Sequence, residues 1–163
     1  MISLDNSDKA ILRELQSDAS ISNLELSKKI GLSPSACLTR TKNLRESGVI
    51  KQFTTIIDEK KLGMDTMAFV LVNLMPMNRD SIKSFMEDVN RFPQIQECYT
   101  LTGSHDFLLK IVARDTQSYR DFIIDTLTAN PIINSVETLM VLGVEKRTTS
   151  IPVEFSPEDK HGR

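Results

Sequence analysis

The residues of this chain best placed to do chemistry fall into two short stretches. The first holds Ser35, Thr39, Arg40, Lys42 and Asn43: hydroxyls, an amide and two cations. Such groups reach base edges and phosphates in a nucleic-acid groove. The second is Thr102-Gly103-Ser104-His105-Asp106. Gly103 lets the backbone approach a ligand closely, so N–H groups there can hold a carboxylate. Asp106 can hold an ammonium by a charge-assisted bond. An amide nest beside a carboxylate complements a free amino acid, and the same five residues also spell an ordinary hairpin turn. Other chemistry finds little footing. There is no phosphate-binding glycine loop and no Cys/His cluster at metal spacing, and His105 and His161 are the only histidines. A nucleophile–base pair would need Ser104 and His105, adjacent residues in a turn that rarely align. The expectation is a protein that is not an enzyme, with no metal and no cofactor.

The first stretch needs a helix to present it, and both ends of one are marked. Ser33 is a natural N-cap, Pro34 falls at the first helical position, and Gly48 supplies the left-handed stop. Leu32 and Cys37 can close a hydrophobic staple. At 100° per residue Cys37, Thr41 and Leu44 share a small inner face. Ser35, Thr39, Lys42 and Asn43 lie opposite, with Arg40 and Ala36 at one edge and Leu38 and Arg45 at the other. Taken alone this also reads as a solvated surface helix. Its neighbours decide. Asp5 or Ser7 can cap a first helix with Ile11, Leu12 and Leu15 inside. Ser22-Asn23-Leu24-Glu25 is a capping box that opens a second helix ending at Gly31. Two short helices joined by a tight Gly turn form a helix-turn-helix, whose second helix reads DNA.

Charge agrees. The chain has 163 residues and a formal net charge of −2. Residues 1–51 carry eight Lys/Arg against six Asp/Glu, a net of +2, so the remainder is −4. A mildly basic head on an acidic body gives a local footprint for phosphates, doubled in a dimer. No apolar run approaches the ~20 residues of a membrane helix, and no signal pattern opens the chain. Cys37 and Cys98 do not suggest a disulfide framework. A reduced, cytoplasmic protein without membrane contact is expected.

Residues 49–57 are β-rich and 58–63 are charged, so 52–65 reads as a β-strand connector. Beyond it, Met67 to Met75 is an apolar strand. Ile82, Phe85, Met86, Val89 and Phe92 mark a helix, Ile95 to Thr102 and Phe107 to Ala113 a hairpin, Tyr119 to Leu127 a second helix, and Ile133 to Val144 a last strand. The order is βαββαβ, the split ferredoxin-like plan. Phe69-Val70-Leu71-Val72, Phe107-Leu108-Leu109 and Leu139-Met140-Val141-Leu142 do not alternate with polar residues. Both sheet faces therefore look buried, the second against another copy of the chain. Met75, Met77 and Met140 read as packing filler.

Leu4-Asp5, Asp8, Ile11-Leu12, Leu15-Gln16, Asp18, Glu25-Leu26-Ser27, Gly31-Leu32-Ser33 and Gly48-Val49-Ile50 resemble the N-terminal signature of the Lrp/AsnC (feast/famine) bacterial transcription regulators. Gly103-x-x-Asp106 resembles the effector motif of that family's RAM domain, with His105 where an aromatic is common. The resemblance implies an α+β chain: a winged helix-turn-helix (three-helix) domain over 1–51, the connector over 52–65, a ferredoxin-like effector-binding and oligomerisation domain over 66–151, and a flexible tail over 152–163. It implies binding to double-stranded DNA through Ser35, Thr39, Arg40, Lys42 and Asn43, with Ser33, Arg45 and Lys51 positioning phosphates. It implies an amino-acid effector at Gly103 and Asp106, with Thr100, Thr102, Ser104 and Thr148-Thr149-Ser150 as secondary candidates at an interface between dimers. Dimers would assemble further, to an octamer. The alternative reading is a small-molecule-sensing oligomer without direct DNA function.

Overall fold

The computed structural model describes residues 3–154. They divide into two compact units, one formed by residues up to Ile56 together with those from Lys146 on, the other by Ile57–Glu145.

The first unit holds α1 (Asn6–Ser17), α2 (Asn23–Ile30) and α3 (Pro34–Glu46). Local chemistry sets each end. Asp5 and Asp8 close a reciprocal capping box on α1, and Ser22 and Glu25 close one on α2. Gly31 turns α2 off in the left-handed conformation at φ 70°, and Gly48 does the same after α3 at φ 77°. Ile11, Leu12, Leu26, Cys37 and Leu44 form the core, with Leu15, Ile30 and Leu32 packed around it. Residues after 145 return to this core. Val153 packs against it, the Gln16 amide donates to Ile151 O at 3.1 Å, and Gln16 Oε1 accepts the Ile151 N–H at 2.6 Å. The tail expected over 152–163 is thus anchored at its start; residues 155–163, with His161, lie outside the described residues.

The strand expected over 49–57 finds no pairing partner among the described residues of the single chain. Phe53, Ile56 and Ile57 stand exposed instead. A short 3₁₀ turn, Glu59–Leu62, stops at Gly63.

The second unit runs β1 (Thr66–Leu74), α4 (Arg79–Arg91), β2 (Ile95–Thr100), β3 (Phe107–Ala113), α5 (Thr116–Phe122) with a π-helical turn over Ile123–Leu127, and β4 (Ile133–Met140). The sheet is antiparallel throughout, in order β2-β3-β1-β4. This is the ferredoxin-like plan. Ala68, Val70 and Val72 of β1 pair with Ile111, Leu109 and Phe107 of β3 on the helix-covered face. Phe85 of α4 stacks on Phe107 with ring centroids 4.7 Å apart, and Tyr119, Ile123 and Leu127 complete that core.

The other face is apolar and open within the chain. Phe69, Leu71 and Leu108 are half-buried there, and Leu139, Phe69's partner in β4, is 47% exposed. Both faces are therefore apolar, as the strands suggest, and only one is covered. Crossing the open face, Lys110 is 7% exposed and its ammonium lies 2.7 Å from Glu97, which also takes the Tyr99 hydroxyl. A lysine this enclosed requires such a partner. The methionines read as filler fill nothing inside this chain. Met75 and Met77 follow the end of β1, and Met140 closes an edge strand, so all three are exposed.

Candidate functional site

On α3 the inward side chains are Cys37 and Leu44, with Thr41 half-buried between them. Burial pushes the Cys37 thiol up from its ordinary pKa. Ser35, Thr39, Lys42 and Asn43 are exposed on the other side, where helical spacing places them. Ser35, Thr39 and Asn43 line an open groove of about 690 Å³.

The remaining head residues have partners. Ser33 caps α3 by accepting the Ala36 N–H at 3.2 Å, and its hydroxyl meets Ser35 Oγ at the same distance. Asn23 Nδ2 donates to Pro34 O at 2.9 Å, which ties the start of α2 to the start of α3. Lys42 reaches Glu46 at 3.6 Å, and both are exposed. The Arg45 guanidinium sits 5.6 Å from the Phe53 ring centroid. Lys51 is exposed. Arg40 lies beside Asp5 and Asp8, at 2.7 and 2.9 Å. The N–H of Asp8, with the Arg40 guanidinium, holds the Asp5 carboxyl below the usual carboxylate range. The sequence does not single out Leu38, 59% exposed on α3; apolar side chains in that setting meet thymine methyl groups.

In the second unit Thr100 ends β2, and Thr102, Gly103 and Ser104 form the exposed tip of the β2–β3 hairpin. Leu101 N–H donates to Asp106 O at 2.8 Å and closes the loop. Gly103 holds φ 116°, a conformation that L side chains rarely adopt. Among the described residues the amides of Thr102, Gly103, Ser104 and His105 donate to nothing. Asp106 is held from three sides. Its N–H meets Val72 O and Asn73 Oδ1, each at 3.1 Å, and its Oδ2 accepts the Leu74 N–H at 2.9 Å. One carboxylate oxygen is thus engaged in fixing the turn.

Two neighbours escaped the sequence reading. Asn73, the one amide in the apolar β1 run, also donates to Ser135 Oγ at 3.3 Å; that interruption was the available signal. Glu137 on β4 stands 3.5 Å from His105 Nε2, a pairing that only the sheet order creates. Thr148, Thr149 and Ser150 belong to the first unit, apart from the turn in chain division. The described residues contain no helix long and apolar enough to cross a membrane, and no group of three or more His, Cys, Asp or Glu able to hold a metal ion.

Comparison with known proteins accounts for both units. Residues 4–51 match the winged helix-turn-helix DNA-binding family, and residues 67–151 the Lrp/AsnC ligand binding domain. The transcriptional regulator AzlB of Bacillus subtilis is 67% identical over 153 residues, 94% of this chain and 98% of the relative. The leucine-responsive regulatory protein of Rhizobium meliloti is 34% identical, covering 93% of this chain and 97% of the relative. Among solved structures, the transcriptional regulator NMB0573 of Neisseria meningitidis, in complex with L-Met, aligns at TM-score 0.89 and 32% identity, over 92% of this chain and 97% of that one.

Proposed function

This chain belongs to the Lrp/AsnC family of transcription regulators, and from that premise we propose that it is a cytoplasmic DNA-binding regulator governed by a free amino acid. The chain is a transcriptional regulator with a helix-turn-helix head and a ligand-binding domain. The finer reading concerns what each part touches. Ser35, Thr39, Lys42 and Asn43 face the major groove and read base edges, each good contact worth roughly 1–3 kcal/mol. Ser33, Arg45 and Lys51 sit toward phosphates.

The observation that carries the effector assignment is the β2–β3 turn: four consecutive unpartnered amides beside Asp106, held open by Gly103. The amides suit an α-carboxylate and Asp106 Oδ1 an ammonium, with Thr100, Thr102 and Ser104 on the rim. That a related regulator was solved with L-Met favours the same ligand class. The open sheet face suits a second copy of the chain, which would double the heads on one duplex. Dimers would assemble further, toward an octamer. The effector acts by binding one assembly more tightly than another, because equal affinity for both would shift nothing.

The test is a thermal-shift screen of the common amino acids, followed by gel shifts with and without those that score. A raised melting temperature with a few related amino acids, and a changed DNA-bound population, is the expected result. No response to any amino acid overturns the effector assignment.

A further inference from the structure

Arg40 has the charge and the helical address of a DNA-contacting residue, yet one end of its guanidinium is engaged within the head. A single nitrogen, Nη1, lies 2.7 Å from Asp5 Oδ2 and 2.9 Å from Asp8 Oδ1. The same two carboxylates cap α1. Asp5 Oδ1 accepts the Asp8 N–H at 2.9 Å, and Asp8 Oδ2 accepts the Asp5 N–H at 3.3 Å. Each carboxylate thus gives one oxygen to the helix start and the other to Arg40. The cluster joins the first turn of α1 to the middle of α3, 32 to 35 residues apart in sequence.

Its location matters. Ser35, Thr39 and Asn43 follow one another at four-residue steps, so they form a row along α3. Arg40 sits beside that row, and Arg40 and Asp8 line the same groove. The inner contact of α3 is narrow: Cys37 and Leu44 are buried, with Thr41 half-buried between them. Charge-assisted bonds are directional and add a restraint on rotation at the edge of that contact.

We propose that Arg40 is a positioning residue for DNA recognition. Bridged by Asp5 and Asp8, it fixes the roll of α3, so that the Ser35–Thr39–Asn43 row meets the base edges, and it does not itself touch DNA. The proposal rests on the DNA-binding reading of α3. With two carboxylates against one guanidinium, Arg40 also contributes nothing to counterion release.

The experiment uses the full chain and a duplex enriched from a random pool by the wild type. Affinity for that duplex and for a scrambled one is measured across a salt series, where each cation on a phosphate contributes about 0.9 to the logarithmic slope. Asn caps helices about as well as Asp, so Asp5→Asn with Asp8→Asn keeps α1 while releasing Arg40. That double variant and Arg40→Ala are both expected to melt as ordered proteins and to lose discrimination between the duplexes by about tenfold or more. Arg40→Lys, whose one ammonium can stand where Nη1 stands, recovers most of it. The triple variant that removes all three charges keeps the wild-type salt slope. A slope lowered by about one per head in the triple variant, or full discrimination in Arg40→Ala, overturns the proposal. A wild type that enriches no duplex overturns the DNA-binding reading itself, and this proposal with it.

Discussion

Asp106 Oδ2 accepts the backbone N–H of Leu74 at 2.9 Å, which fastens the β2–β3 turn to the last residue of β1. A residue expected to serve a ligand also serves the fold. The two duties are separable. Asp106→Ala leaves the N–H of buried Leu74 without its acceptor, at a cost of about 1–3 kcal/mol. Asp106→Asn keeps an acceptor and removes the charge. Melting curves should drop by several degrees for the alanine variant and little for the asparagine variant. The amino-acid-dependent shift should vanish in both.

Acid should weaken the head. Bonds from the Asp8 N–H and then Arg40 lower the Asp5 carboxyl, and the Ser20 and Ser22 groups do the same for Asp18 and Glu25. A carboxyl whose folded pKa lies below its unfolded one binds fewer protons in the native state. Its stabilisation is present above the ordinary carboxylate pKa of roughly 4 and is lost as pH falls through the lower folded value. Urea midpoints should therefore hold between pH 7 and 5 and decline below roughly 4. Asp5→Asn should flatten part of that decline.

The two cores should fail separately in function. Ile11 is wholly enclosed in the first unit and Phe85 nearly so in the second. Ile11→Ala should cost about 2–5 kcal/mol and abolish DNA binding, while Phe85→Ala should cost about 3–5 kcal/mol and abolish the effector response. Denaturation monitored alongside each binding assay checks the assignment.

Both thiols should react slowly in the native chain, Cys37 least of all. Burial pushes both Cys37 and Cys98 up from their ordinary values, so little thiolate forms at neutral pH. Iodoacetamide should label the fully buried Cys37 only after denaturation and the half-buried Cys98 slowly in the native chain, as read by mass.

Self-association through the open sheet face is tested by charge. Leu71 and Leu108 pair in register across β1 and β3 on that face. Leu71→Asp and Leu108→Asp together should halve the assembly or reduce it to single chains in sedimentation, with weaker DNA binding from unpaired heads.

Much of this architecture was legible because its determinants are local. Ser22 with Glu25, Ser33 with Pro34, and Gly48 each act within one helical turn, and the residue pattern alone places them. The inner and outer faces of α3 follow from the 3.6-residue period. Contacts made across sequence distance were hidden. The helical wheel puts Arg40 at the edge of the outer face and Lys42 on it, but it does not disclose that Arg40 meets two carboxylates, because α1 starts beside it. Asn73 and Glu137 join the turn only once β1 lies between β3 and β4. The 49–57 segment shows how far pattern goes: β propensity was readable, a pairing partner was not.

The mutual bonds of Gln16 with Ile151 close the first unit around both extremes of the described chain. Topologically the ligand-binding unit is an insertion, spliced into the head by two covalent crossings. A single proteolytic nick between residues 51 and 58 would leave the halves joined, and excising residues 1–56 alone would forfeit the Ile151 and Val153 contacts. Torque passing from one part to the other has two cables to travel along, where a simple tandem arrangement would offer one.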